Sequence, residues 1–135
     1  MDTPGCEQYR GRIFHYINNF SGGIIIYDIT KRITFGNIFL WAKILKERSE
    51  KNCVICLVGN KLDKVKKQQN LREVKKEEAE TFAFLNHMIF FETSTFLDVV
   101  EIIFDTLIKS IYNEQRYFLY KSDIMEEYFN IKDNK

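Results

Sequence analysis

The sequence predicts an α/β domain built on a parallel sheet, and its hydrophobic pattern carries that prediction. Three short apolar runs, at residues 22–30, 54–58 and 88–94, lack the alternation of a half-exposed strand. Such runs are typical of strands that are buried on both faces of a parallel sheet. A helical segment follows each run, and strand–helix alternation indicates parallel strands joined by right-handed crossovers.

The predicted elements follow one another without a repeat or a flexible linker. Adjacent Pro4 and Gly5 predict a turn near the start of the chain, and a short irregular helix is expected over residues 11–20. The first strand follows and ends at the polar residue Asp28. A helix is expected over residues 34–50, with these apolar residues at helical spacing and facing inward: Phe35, Ile38, Phe39, Ala42 and Leu45.

Further helices are expected in the second half of the chain. A basic polar loop is expected over residues 64–70, followed by a helix over residues 72–86 whose inward residues are Val74, Phe82 and Leu85. The last helix begins at Asp98, where a capping box with Glu101 is expected. Its apolar positions are Val99, Ile102, Ile103, Leu107 and Ile111.

Composition indicates one ordinary globular domain. The 135 residues are long enough to bury a core, and 45% of them are hydrophobic, while 29% are charged. A net charge of +1 gives no argument for a nucleic-acid partner. Cys6, Cys53 and Cys56 lack the spacing of a disulfide framework, and no signal region or apolar stretch of membrane-spanning length is present. A cytoplasmic protein is therefore expected.

Cys53 and Cys56 form a Cys-x-x-Cys pair, which in other settings indicates zinc or redox chemistry. Here the pair lies within a predicted strand, where an odd offset points the two side chains to opposite faces. We expect two structural thiols.

The second strand ends in the polar tetrad Asn-Lys-Leu-Asp at residues 60–63. In open α/β sheets ligands bind just beyond the carboxyl ends of the strands, so this tetrad is placed where a ligand is expected. The carboxylate of Asp63 is able to accept two parallel hydrogen bonds from the N1–H and the exocyclic amine of guanine. Adenine cannot supply that pair of donors, which would leave the carboxylate unpaired.

The tetrad resembles the guanine-specificity motif of the small GTPases, and further motifs of that family follow the same order. Residues 2–7 (Asp-Thr-Pro-Gly-Cys-Glu) are similar to the second switch, and residues 26–30 (Ile-Tyr-Asp-Ile-Thr) to a Rab-type strand ending. Residues 77–83 and 90–94 are also Rab-like. The chain is therefore identified as a member of the Rab-type small GTPases of the Ras superfamily.

The resemblance covers residues 2 to about 115 and implies the fold of the P-loop NTPases. We expect residues 1–115 to form a partial small GTPase domain that lacks the N-terminal strands and first helix, leaving three parallel strands with flanking helices. Residues 116–135 are expected to be a C-terminal tail or a helix extension.

The resemblance also assigns the residues that contact guanine. It implies that Asn60 braces the loop and approaches the base, that Lys61 lays its methylene stem over the ring, and that Asp63 reads the edge. Ser94 and the backbone N–H of Thr95 complete the site, although the family prefers alanine at position 95.

The phosphate side of the site is only partly represented. By resemblance, Asp2 holds Mg²⁺ through water and the N–H of Gly5 contacts the terminal phosphate of GTP. Cys6 stands where the family has the glutamine that orients the attacking water, and Pro4 fixes the backbone of the switch. Slow or absent hydrolysis of GTP is therefore expected.

No glycine in the sequence is followed by lysine, so the phosphate-binding loop Gly-x-x-x-x-Gly-Lys-Ser/Thr is lacking, as is the threonine of the first switch. We expect an incomplete gene model or a truncated relic, with the edge of the strand that ends at Asp28 left bare. No cysteine follows Cys56, so a prenyl anchor is not expected.

Three interpretations stay open. The first is a Rab-like switch in vesicle transport that binds GTP and GDP with Mg²⁺ and exchanges regulators and effectors. The second is a nucleotide-free interaction fragment. The third is an unrelated α/β protein with chance motifs, which the ordered series of matches disfavours.

Overall fold

The computed structural model describes residues 17–94 and 100–116 of the chain. Three strands, β1 (Gly22–Asp28), β2 (Val54–Asn60) and β3 (Ile89–Glu92), form a parallel sheet in the order β1-β2-β3. Helices precede and follow β2 and β3 in the chain, as expected for right-handed crossover connections. The predicted α/β fold with three parallel strands and flanking helices is confirmed.

The strand register places the carboxyl ends of the three strands at one edge of the sheet. Asp28 at the end of β1 lies opposite Asn60 at the end of β2, and Gly59 of β2 lies opposite Glu92 at the end of β3. Polar residues that are far apart in sequence therefore meet at this edge.

The helix predicted over residues 34–50 is present as two helices, α1 (Arg32–Gly36) and α2 (Ile38–Arg48). The two meet at Asn37, whose backbone is helical and whose N–H donates to the carbonyl of Ile33 at 3.2 Å. The prediction of the inward face of this segment was partly wrong. Phe39 is 69% exposed, whereas Ile38, Ala42 and Ile44 are buried.

The prediction of a basic loop over residues 64–70 is wrong. Residues Leu62–Lys67 form a helix, α3, and residues Gln69–Leu71 form a 3₁₀ turn. Val65 explains the difference, because its side chain is buried in the main core while the neighbouring lysines remain exposed. One anchoring residue is enough to hold this short helix on the domain when the basic residues lie on its solvent side.

The next helix, α4 (Lys76–Leu85), is shorter than the predicted segment 72–86. Val74 is fully buried but precedes the helix, and Leu85 is 70% exposed rather than inward-facing. The small residues Ala79 and Ala83 form the buried stripe instead, which allows the helix to approach the sheet closely.

The last described helix, α5, covers residues 100–116. Ile103 and Leu107 are buried as predicted, but Ile102 is 55% exposed. The predicted start at Asp98 lies outside the described residues, as do the turn at residues 2–10, residues 11–16 and residues 117–135 of the predicted segment 116–135. Residues 17–20, the end of the predicted irregular helix, are not helical.

The core is divided between two buried clusters that include residues of β2. The larger contains Tyr27, Leu57 and residues of α2, α3 and α4, with Cys53 packed against it, and the smaller joins Cys56 and Val58 to Ile103 and Leu107 of α5. Cys53 precedes β2 rather than lying within it as predicted, but the two cysteines do pack on opposite sides of the sheet, as predicted. Burial raises the pKa of the Cys56 thiol to about 11, which suits a structural role.

The side of the sheet that holds the smaller cluster is incompletely covered. Within the described residues, β1 pairs only with β2. Ile26 of β1 is 63% exposed and Phe104 of α5 is 51% exposed. A cavity of about 150 Å³ lies beside them and reaches Asn60 and Ser94. None of the helices in the described part of the chain has the length and apolarity needed to cross a bilayer.

Candidate functional site

The end of β2 turns sharply at Lys61, which has φ of 73° and ψ of 30°. A left-handed backbone at a residue other than glycine costs about 1 kcal/mol and is concentrated at functional sites. The side-chain oxygen of Asn60 accepts a hydrogen bond from the N–H of Lys61 at 2.7 Å and so stabilises the turn. The strand passes directly into α3, which begins at Leu62.

Asp63 lies in the first turn of α3, where the partial positive charge of the helix N-terminus favours a carboxylate. The side chain is partly exposed, and it makes no hydrogen bond or ion pair with any other described residue. A carboxylate in this position is available to an incoming ligand.

Backbone hydrogen bonds bring Ser94 to the same place. The N–H of Thr93 donates to the carbonyl of Gly59 at 2.8 Å, and the N–H of Leu62 donates to the carbonyl of Thr93 at 3.1 Å. Ser94 therefore lies next to the turn at residues 60–63. The structure thus brings together four residues that the sequence assigned to one site.

The hydroxyl of Ser94 is buried without a partner among the described residues. Ser94 is 1% exposed, and its Oγ makes no hydrogen bond to any residue in the described ranges 17–94 and 100–116. Leaving a buried hydroxyl without a hydrogen bond destabilises a fold by about 1–3 kcal/mol. A ligand or a loop that hydrogen-bonds to this hydroxyl would remove that penalty. The hydroxyl of Tyr27 also lacks a partner in the described part of the chain, but Tyr27 belongs to the main core, where its ring packs on Phe35 at 5.2 Å.

Asp28 adds a carboxylate that the sequence reasoning left without a role. Its Oδ2 pairs with the Nζ of Lys61 at 2.6 Å, and its Oδ1 accepts hydrogen bonds from the N–H and the hydroxyl of Thr30 at 2.9 and 2.7 Å. Burial by itself would raise the pKa of Asp28, but the bonds from Lys61 and Thr30 outweigh burial and lower the pKa below its ordinary value. The only feature of the sequence that pointed to Asp28 as a site residue was its position as a polar residue at the carboxyl end of a strand.

A second ion pair supports the end of β3. Both Nη atoms of Arg72 donate to the carboxylate of Glu92, at 2.7 and 2.9 Å, and Arg72 also donates to the carbonyl of Val74 at 3.1 Å. The Glu92 side chain is only 6% exposed. Because Glu92 directly precedes Thr93 and Ser94, this pair fixes the strand end that carries the buried hydroxyl.

The remaining predicted site residues, Asp2, Gly5, Cys6 and Thr95, lie outside the described residues. Their roles in binding Mg²⁺, phosphate and the base stay predictions. Within residues 17–94 and 100–116, no group of three or more acidic, histidine or cysteine side chains is arranged to hold a metal ion.

Comparison with known proteins identifies the class. The sequence model of the Ras family matches residues 1–113. The chain therefore belongs to the Ras family of small GTPases, for which guanine-nucleotide binding is the general property.

Its curated relatives carry Rab-type names. GTP-binding protein ypt3 of Schizosaccharomyces pombe is 42% identical over 113 residues, which cover 82% of this chain and 50% of ypt3. The Ras-related protein Rab11A of Lotus japonicus is 42% identical over 113 residues, covering 83% of the chain and 48% of Rab11A. RABA1e of Arabidopsis thaliana is also 42% identical, with coverages of 82% and 50%. The resemblance to Rab-type GTPases is confirmed, and the chain spans about half the length of the curated relatives it matches.

Proposed function

We propose that this chain carries the guanine-recognising part of a Rab-type molecular switch that acts in intracellular vesicle transport. The observation that carries the proposal is the meeting of Asn60, Lys61, Asp63 and Ser94 at the carboxyl edge of the sheet. The unpaired hydroxyl of Ser94 supports it, since this site has a buried polar group that is not satisfied by the described protein residues.

Each side chain has a chemical task in the proposed site. Asp63 accepts the N1–H and amine donors of guanine, and its negative charge excludes bases that present acceptors there. Lys61 offers its methylene stem to the face of the ring, while Asn60 holds the turn in the shape that the two neighbours require. Ser94 and the N–H of Thr95 supply further hydrogen bonds at the base.

The phosphate end of the nucleotide is proposed to contact the N-terminal segment. Asp2 would hold Mg²⁺ through water and Gly5 would contact the terminal phosphate, where the metal ion supplies neutralisation of the phosphate charge. Cys6 replaces a side chain that both accepts and donates hydrogen bonds. We therefore propose that GTP is hydrolysed slowly or not at all by this chain.

The wider role is proposed for the whole switch, because the chain spans only about half of its relatives. It comprises binding to Rab regulators and effectors and action at the cytoplasmic face of vesicle membranes. Residues 1–115 are proposed as the GTPase-derived domain, with residues 116–135 as a C-terminal tail or a helix extension.

The first test exchanges the base specificity of the full chain. Xanthine carries a carbonyl where guanine carries the exocyclic amine. The amide of the Asp63→Asn variant is able to donate to this carbonyl and to accept from the N1–H of xanthine. We expect wild type to prefer GDP over ADP by at least about tenfold, and Asp63→Asn to prefer xanthosine diphosphate over GDP. NMR titration with each diphosphate measures both ratios.

The control for this test is Asp105→Asn, which removes a carboxylate from an exposed ion pair with Lys109 on α5. This variant should keep the wild-type preference for GDP. Equal binding of GDP and ADP by the folded wild-type chain would overturn the proposal.

A second candidate is an interaction fragment that has no nucleotide. The observation that favours it is the apolar exposure of Ile26 and Phe104 beside the cavity, which is a surface that a protein partner covers readily. A folded chain that binds no guanine nucleotide at millimolar GDP would favour this candidate over the switch.

A further inference from the structure

The ion pair between Lys61 and Asp28 joins two residues that are 33 positions apart in the chain. The register of β1 and β2 makes the contact possible, because Asp28 lies opposite Asn60 at the end of the sheet. The Lys61 side chain therefore runs sideways across the carboxyl edge from β2 to β1. Its side chain is 38% exposed, so part of the stem remains open to a ligand while the ammonium is engaged.

A lysine stem has high rotamer entropy, and a flexible stem must be ordered when a ring packs on it. When the ammonium has a fixed partner, the side chain loses its conformational entropy during folding rather than during binding. The ligand then binds to a side chain that is already ordered, which is the effect of preorganisation. The left-handed backbone of Lys61 and its hydrogen bond to Asn60 already fix where the stem begins. Asp28 fixes where it ends.

Asp28 is itself held in one orientation. Two hydrogen bonds from Thr30 occupy Oδ1, which leaves Oδ2 directed to Lys61. The backbone N–H of Asp28 donates to the hydroxyl of Thr34 at 3.0 Å, which anchors the turn after β1. The carboxylate is a rigid and mostly buried anchor rather than a mobile surface charge.

We propose that Asp28 is a positioning residue for guanine recognition, holding the Lys61 ammonium so that the lysine stem lies ready to pack on the base. The inference rests on the proposed function and adds a residue to that site. It assigns the lysine charge to Asp28, so the stem rather than the charge serves the nucleotide.

Two variants separate this role from a purely structural one. Asp28→Asn keeps an oxygen that accepts from Thr30 and removes the charge that holds Lys61. Lys61→Met keeps an apolar stem and removes the ammonium. Each should weaken the binding of GDP to the full chain by about fivefold, as expected for loss of one partly buried ion pair.

The double variant distinguishes coupling from independent effects. If both single changes act through the same ordered stem, Asp28→Asn/Lys61→Met should bind GDP as weakly as either single variant and no worse. A loss equal to the product of the two single losses contradicts the proposal. Asp105→Asn removes an exposed Asp–Lys pair and should change GDP affinity by less than about twofold.

A measurement without nucleotide checks the mechanism directly. NMR relaxation of the Lys61 Cε in the free chain should show an ordered stem in wild type and a mobile one in Asp28→Asn, while circular dichroism shows the same fold. An equally mobile stem in both proteins overturns the inference.

The outcomes separate the two proposals. If wild type binds GDP selectively and Asp28→Asn binds it equally well, the positioning role is wrong and the proposed function stands. If wild type shows no preference for GDP, the proposed function fails and the positioning role fails with it.

Discussion

At the scale of single residues, two of the carboxylates at the carboxyl edge of the sheet, those of Asp28 and Asp63, have different surroundings. Asp28 is mostly buried and fully engaged by Lys61 and Thr30. Asp63 lies in the first turn of α3, and its side chain makes no hydrogen bond or ion pair with the described residues. The engaged carboxylate is suited to hold the site in shape, and the free one is suited to bind a ligand.

The lowered pKa of Asp28 predicts how stability depends on acid. A group whose pKa is lower in the folded than in the unfolded chain stabilises the fold above its unfolded pKa, here about 3.8. That contribution disappears as the pH falls through the still lower folded pKa. Asp28→Asn should therefore lose less stability than wild type between pH 5 and pH 2.

Urea unfolding at several pH values in this window measures the difference. Asp105→Asn is the control, since it removes a carboxylate from an exposed ion pair, and such pairs contribute little to stability. Parallel curves for wild type and Asp28→Asn would show that the buried pair adds no acid-sensitive stability.

At the scale of elements, two Arg–Glu pairs of similar geometry differ in burial. Arg72 and Glu92 join the segment before α4 to the end of β3, with side chains 22% and 6% exposed. Arg32 and Glu78 join α1 to α4, with side chains 55% and 37% exposed. Both pairs are bidentate, but only the first would leave a buried charge when it is broken.

Arg72→Met should destabilise the fold by about 3 kcal/mol, because Glu92 is left charged and buried without its partner. Arg32→Met should destabilise the fold much less than Arg72→Met, because the Arg32–Glu78 pair is exposed and exposed ion pairs contribute little to stability. Urea unfolding at pH 7 compares the two variants directly. Equal losses would contradict the burial argument.

At the scale of the whole molecule, the two sides of the sheet are covered unequally. The larger cluster is packed by α2, α3 and α4, whereas the smaller is covered in the described structure by α5 alone. An edge strand with exposed apolar side chains is a template for association with other chains. Ile26 on β1 is the residue at this edge with the largest exposed apolar side chain, 63% exposed.

Ile26→Lys should therefore reduce self-association of the chain at high concentration without a large loss of stability, because a charge on an edge strand disfavours pairing. Sedimentation velocity over a concentration series measures the change. Phe84→Lys is the matched control, since Phe84 is 79% exposed on α4 and lies on a helix rather than at a strand edge. A similar effect of both changes would point to general surface hydrophobicity.

The sequence by itself determined the family, the three parallel strands and the contiguous motif at residues 60–63. These features depend on local hydrophobic pattern and on residues that are neighbours in the chain, so they are readable without coordinates. It also placed Ser94 near that motif through the resemblance. It misassigned helix faces, because the exposed positions of Phe39, Leu85 and Ile102 depend on what each helix packs against.

Only the tertiary structure decided the ion pairs that shape the site. Lys61 meets Asp28 across 33 residues and Arg72 meets Glu92 across 20, and neither pairing has a local signature. Such contacts follow from strand register, which is set by the packing of the whole sheet. The residues that we propose to contact the ligand are therefore visible in the sequence, whereas the ion-pair partners beside them are identified only when the strands lie side by side.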